Sequence, residues 1–109
     1  MKLSISEKAG KLTIAIGGEL DHHGAREAAR RIEETIEASV PRDCVIDLRE
    51  LRFMDSSGIA IILRVYKRLN AIGGRLTVEN VPEQPMRVLD ASGIDRMIEI
   101  NAMQTEKPV

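Results

Sequence analysis

Short runs in which apolar and polar residues alternate open the chain. Lys2-Leu3-Ser4-Ile5-Ser6 puts every second side chain on an apolar face, and Leu12, Ile14 and Ile16 alternate with Thr13 and Ala15. A period of two predicts strands, and the Ala9-Gly10 break between the runs predicts a hairpin. Gly17-Gly18 reads as the end of the second strand, and Glu19-Leu20-Asp21-His22-His23-Gly24 as a polar loop. From Gly24 to Ser39 the pattern turns helical: Ala25, Ala28 or Ala29, Ile32 and Ile36 recur at three- and four-residue spacing, with charge on the other face. Glu27 and Arg31 form a favourably ordered i,i+4 pair, and Val40-Pro41 stops the helix.

Cys44-Val45-Ile46 with Leu48 predicts a buried strand over 43–48. Residues 49–55 read as a loop whose Leu51, Phe53 and Met54 pack inward. A helix follows from about Ser56 to Ile72, with Ile59, Ile62, Leu63, Tyr66 and Leu69 as its apolar stripe and Gly73-Gly74 as its stop. Its first turns are almost wholly apolar, which predicts a deeply packed start. Leu76-Thr77-Val78 is a strand, residues 85–92 a short helix with Pro85 in its first turn and Gly93 beyond its end, and Met97-Ile98-Glu99-Ile100 a last strand. Residues 101–109 read as a polar tail.

The order β-β-α-β-α-β-α-β predicts an α/β domain with a small mixed, mainly parallel sheet, an N-terminal antiparallel hairpin and three to four helices. A chain of 109 residues fits one domain, spanning 1–109 with an ordered core over about 2–100. In such sheets, ligands and partners meet the loops beyond the strand C-termini, which here are residues 18–24 and 49–58.

Composition narrows the function. A net charge of −1 argues against direct nucleic-acid binding, which needs a basic surface. Arg64, Lys67, Arg68 and Arg75 form a stretch without acids, but Phe53 and Tyr66 are the only aromatics and none interleaves to stack on bases. Those cations read instead as a solvated face that complements a helix C-terminus. The single Cys44, in an apolar run, reads as a buried inert thiol and suits a reducing cytoplasm. The N-terminus alternates where a leader peptide would be an apolar block, and no run is long enough to span a membrane; a soluble cytoplasmic protein is expected.

The chemistry concentrates in Asp55-Ser56-Ser57-Gly58. Asp and Ser are preferred N-caps, so part of this sequence starts a helix whatever its function. Three such residues in succession before an apolar helix also suit a phosphorylatable loop. A phosphoserine there brings about −1.5 to −2 charges to the positive helix end, which the fold tolerates and a binding face beside Asp21 and Asp55 does not. A serine-hydrolase elbow lacks its first glycine, His22 and His23 point apart and make a poor metal pair, and no phosphate-binding fingerprint or acid–base pair is present. No cofactor or metal is expected. A small nucleotide-binding or hydrolytic α/β domain using Ser56 or Ser57 stays open as the alternative.

Three segments together, Gly18-Glu19-Leu20-Asp21-His22-His23, Phe53-Met54-Asp55-Ser56-Ser57-Gly58-Ile59 and Ile72-Gly73-Gly74, resemble the STAS-domain anti-sigma-factor antagonists, among them the sporulation proteins of endospore-forming bacteria. The likeness runs from the first strand to about Ile100. It departs at Gly24, where the sporulation proteins carry a side chain, and in a short C-terminal helix. The resemblance implies a non-enzymatic partner-switching cycle in sporulation or general stress. The unphosphorylated protein binds an anti-sigma factor that is also a serine kinase, a sigma factor is released, the kinase phosphorylates Ser56, and a serine phosphatase restores binding. It implies Glu19, Asp21, His22, Asp55, Ser56, Ser57 and Gly58 as the partner-binding residues.

Overall fold

The expected hairpin forms in the computed structural model, which describes residues 1–104. Strands β1 (Lys2–Lys8) and β2 (Lys11–Leu20) pair antiparallel, Leu3 opposite Ile16 and Ile5 opposite Ile14. Ala9 and Gly10 make the two-residue turn with φ of 52° and 81°, the positive values that a type I′ connection needs to match strand twist.

Helix α1 spans His22–Ser39, β3 Asp43–Asp47, β4 Leu51–Met54, α2 Ser56–Ala71, β5 Arg75–Val81 and α3 Glu83–Ser92. A single 3₁₀ turn at Ile94–Arg96 precedes β6, Glu99–Ala102. The strands form one mixed sheet in the order β1-β2-β3-β5-β6, parallel after the hairpin, with β4 joined to β2 off this path. Leu12, Ile14 and Ile16 of β2, Cys44 and Ile46 of β3 and Leu76 and Val78 of β5 are buried on one face. The alternating Thr13, Ala15, Val45 and Thr77 remain half-exposed on the other. The core lies between the first face and the helices, which bury Ala28, Ala29, Ile32 and Ile36 of α1 and Ile61, Ile62, Val65 and Leu69 of α2. No charged or polar side chain is buried among the described residues.

The fold class stands as read, with local corrections that share a cause. Residues 49–55 are not a loop: β4 lies there, too short for a period to show. Its burial runs buried, exposed, exposed, buried, so Leu51 and Met54 pack inward while Phe53 stays 42% exposed. Gly17-Gly18 does not end β2. Up to Ala15 the strand pairs with β3, and from Gly18 it pairs with β4. Gly18, at φ 83°, sits where the register shifts, a conformation that favours glycine. The new partner carries β2 on to Leu20, and α1 begins at His22 and not at Gly24.

The apolar stripe of α2 is turned from the expected one: Ile59, Leu63 and Tyr66 are half-buried, while Ile61 and Val65 join Ile62 and Leu69 in the core. A helix flanked by α1 on one side and α3 on the other is apolar around much of its girth, so periodicity cannot fix its phase. The last strand begins two residues later than expected, because Ile94–Arg96 first makes the 3₁₀ turn. Asn101 and Ala102, assigned to the tail, belong to β6, and residues 105–109 lie outside the described residues.

Charge pairing also differs. Glu27 contacts Arg30 at 2.6 Å, and Arg30 continues to Glu34 at 2.8 Å, while Arg31 acts on Glu27 through its field alone. Arg64 and Arg68 reach across to α1, to Glu33 at 2.8 Å and Glu37 at 3.1 Å, and Arg75 pairs with Glu99 at 3.1 Å. Most of the basic stretch is therefore balanced by neighbouring elements instead of merely facing a helix end. Exposed pairs of this kind contribute about 0–1 kcal/mol each, enough to favour the α1–α2 register without carrying the fold.

Burial pushes the Cys44 thiol up to about 12, and the residue is 1% exposed. The native thiol should therefore resist a thiol-exchange reagent at about pH 8 and react at the rate of global unfolding. The folded state holds this proton more tightly than the unfolded one. Cys44 should thus cost stability as pH rises from about 8.5 towards 12, and Cys44→Ala should remove that part of the alkaline loss. Rapid native-state labelling with unchanged unfolding kinetics would contradict this placement.

Candidate functional site

Two copies of one local design meet at the C-terminal end of β2. Each strand ends in a buried apolar residue, Leu20 or Met54, followed by an aspartate, two short polar or imidazole side chains and a glycine: Asp21-His22-His23-Gly24 and Asp55-Ser56-Ser57-Gly58. Both aspartates are N-caps with extended backbones. Asp21 Oδ1 accepts from the His23 and Gly24 N–H groups at 3.0 and 3.2 Å, and Asp55 Oδ1 accepts from the Ser57 N–H at 2.8 Å. Capping of this kind contributes about 0.5–2 kcal/mol per helix in general.

Register places the two designs side by side. Leu20 pairs with Met54 in the parallel β2–β4 ladder, and the Asp55 N–H donates to the Leu20 carbonyl at 3.3 Å. The next residue on each strand is the capping aspartate, so α1 and α2 start at the same level of the sheet with their positive ends together. Between their first turns lies a cleft of about 410 Å³ lined by His22, His23, Arg26, Ser57 and Arg64.

Of the residues singled out in the sequence, Asp21, His22, Asp55, Ser56 and Ser57 gather at this double helix start. Glu19 stands exposed on β2 opposite Phe53. Ser56 occupies the first helical position of α2 and is exposed, whereas Ser57 is half-buried along the cleft. The expected deep packing of this helix start is thus true of Gly58 and not of Ser56. Gly58 is buried, so it shapes the turn and offers no contact surface: a Cβ there would overlap the Met54 Sδ and Cγ and approach Leu20 Cδ2 to 3.2 Å.

Asp21 is no free loop carboxylate. The Gly24 N–H, opposed by partial desolvation and helped by the His23 N–H and the field of the His23 ring, holds its carboxyl below the usual range. The stabilisation that comes with a lowered pKa is present above the ordinary carboxylate pKa and is lost as pH falls through the folded value. Among the described residues no group of three or more His, Cys, Asp or Glu side chains could hold a metal ion.

Two residues escaped the sequence reading. Gln84 of α3 bonds both backbone groups of Met54: the Met54 N–H donates to Oε1 at 2.9 Å, and Nε2 donates to the Met54 carbonyl at 3.0 Å. Arg26 belongs by sequence to the charged face of α1, and the cleft it lines depends on α2 lying beside α1. Neither position belongs to a local motif, and only the chain's long-range packing reveals them.

Comparison with known proteins places this geometry. A family model described as the STAS domain matches residues 2–107. The anti-sigma F factor antagonist of Paenibacillus polymyxa is 33% identical over 108 residues, covering 94% of this chain and 92% of that protein. The anti-sigma factor antagonist SpoIIAA in its unphosphorylated form superposes with a TM-score of 0.81 at 25% identity, covering 96% of this chain and 90% of the other. The Bacillus cell fate determinant SpoIIAA in the phosphorylated form gives 0.72 at 28% identity, with 96% and 93% covered.

The close approach at Gly58 yields a direct test. Helix propensity favours Ala over Gly by about 1 kcal/mol, whereas inserting a methyl into a filled core typically costs about 1–3 kcal/mol. With Met54 fully buried, overpacking should win, and Gly58→Ala should lower the urea midpoint without changing the slope. A rise in the midpoint would show that Met54 yields easily and that the packing is looser than described.

Proposed function

Because the chain belongs to the STAS domain family, we propose that it is an anti-sigma factor antagonist, a binding module and not an enzyme, switched by phosphorylation of Ser56. The observation that carries this reading is the exposed Ser56 hydroxyl at the first position of α2, one strand away from the Asp21 cap. Unphosphorylated, the double helix start presents Glu19, Asp21, His22, Asp55, Ser56 and Ser57 as one polar face, with Gly58 setting the turn beneath it. An anti-sigma factor that is also a serine kinase docks there, and its sigma factor is released. The kinase then transfers a phosphoryl group to Ser56, the complex dissociates, and a serine phosphatase resets the cycle. The cycle runs in the cytoplasm, where sigma factors act.

The physical logic is a division of labour between fold and face. At the first turn of α2, a phosphoserine dianion meets the positive helix end, worth about 0.3–1 kcal/mol to the folded state. On the surface the same group adds bulk and about −1.5 to −2 charges beside two aspartates, in a spot the partner must desolvate on binding. The likeness of the fold to both the phosphorylated and the unphosphorylated relative supports a switch that leaves the architecture in place. The fold also supports it from inside, since no polar side chain among the described residues is buried and in need of the serine hydroxyl.

Ser56→Ala should abolish kinase-dependent phosphate incorporation and leave the anti-sigma factor bound through the cycle. Peptide mapping of the phosphorylated wild type is the check, and label on Ser57 or elsewhere would overturn the assignment. Asp21 needs a gentler substitution than a charge reversal, because it caps α1. Asp21→Asn keeps a capping oxygen and removes the charge. It should lower the melting temperature by no more than a few degrees, through loss of the cap's charge, and weaken binding of the anti-sigma factor by roughly tenfold or more if the carboxylate pairs with a partner cation. Full affinity in that variant would remove the Asp21 charge from the interface.

A further inference from the structure

Strand β4 is four residues long, and among the described residues its only strand partner is β2. Successive residues of a strand turn their backbone groups to opposite edges. Asp55, just beyond the strand, donates to Leu20 on the β2 side, while the N–H and C=O of Met54 face the other way. There the Gln84 side chain meets them with an acceptor and a donor at 2.9 and 3.0 Å, as one residue of a neighbouring strand would. The contact closes a loop of 30 residues in sequence and ties the first turn of α3 to the residue before the Asp55 cap. The Met54 side chain in turn fills the space above Gly58, so Met54 packs directly against the first turn of α2.

We propose that Gln84 is a positioning residue for phosphoryl transfer to Ser56, acting as an edge clamp on the strand that delivers the acceptor hydroxyl. This proposal rests on the reading of Ser56 as the phosphoacceptor. Without the clamp, a short strand paired on one edge keeps β2 but gains freedom on its open side, and Ser56 follows Met54 by only two residues. Phosphoryl transfer depends chiefly on placing the acceptor, and a displacement of about 1 Å can cost as much as about a hundredfold in rate. Partner binding spreads over a whole face and is less sensitive to such a shift.

The test compares single-turnover phosphorylation at saturating kinase and ATP with affinity for the ADP-bound kinase. Gln84→Ala should lower the phosphorylation rate about tenfold, change the dissociation constant by less than about threefold, and speed amide exchange of Met54 while the β2 amides stay protected. Gln84→Glu supplies a second readout. As a carboxylate it accepts from the Met54 N–H but opposes the Met54 carbonyl; when protonated it offers one donor and one acceptor, as the amide does. Glu83, Arg87 and Asp55 are common to both proteins, so the ratio of variant to wild-type rate isolates the new carboxyl. That ratio should climb as pH is lowered.

Faster Met54 exchange with an unchanged phosphorylation rate would overturn the proposal. So would a rate and an affinity that fall in proportion, or a loss that tracks a fall in melting temperature, since either marks an ordinary interface or structural residue. Wild-type protein that takes no label on Ser56 would overturn the underlying reading and this proposal with it, while the exchange measurement would still report whether the clamp exists.

Discussion

The pairing of Leu20 with Met54 is the contact on which the site depends. It is a short parallel ladder, made possible where β2 leaves β3 at Gly18 and takes β4 as its partner. Each strand then ends in an aspartate that caps a helix, so a single register decision brings two helix starts together. A slip of one residue would turn buried Leu20 or Met54 to the surface, which fixes the register through the core. The site thus inherits its geometry from hydrophobic burial below it.

Little chemistry is needed at such a site, and little is present. The two caps satisfy backbone donors, the serine hydroxyl is exposed, and the nearest large packing constraint is the Gly58–Met54 approach beneath the surface. A phosphoryl group added at Ser56 changes charge and shape at the face while the buried hydrophobic core is out of its reach. Fold stability and partner affinity can then respond differently to one modification, which is what separates a switch from a destabilising lesion.

Much of this was legible in the sequence. Alternation at Leu3 and Ile5 and at Leu12, Ile14 and Ile16 marked the hairpin. Gly73-Gly74 and Gly93 marked helix ends, and Asp-Ser-Ser-Gly marked a helix start. What escaped was long-range. Leu51–Met54 is too short for a period, so β4 appeared as a loop, and with it went the extension of β2 and the capping role of Asp21. A loop would let Phe53 pack inward beside Leu51 and Met54, yet strand geometry sends it outward once Met54 points in. Gln84 carries no local signal, since its partners lie 30 residues earlier on a backbone.

The central claim is that phosphate at Ser56 acts at the face and leaves the fold intact. The most direct measurement is a thermal melt of the Ser56-phosphorylated and unphosphorylated protein beside a titration of each with the anti-sigma factor. The account predicts melting temperatures within a few degrees of one another and loss of most of the affinity on phosphorylation. A collapse of the melting transition in step with the lost binding would make the switch a local unfolding event and contradict the account.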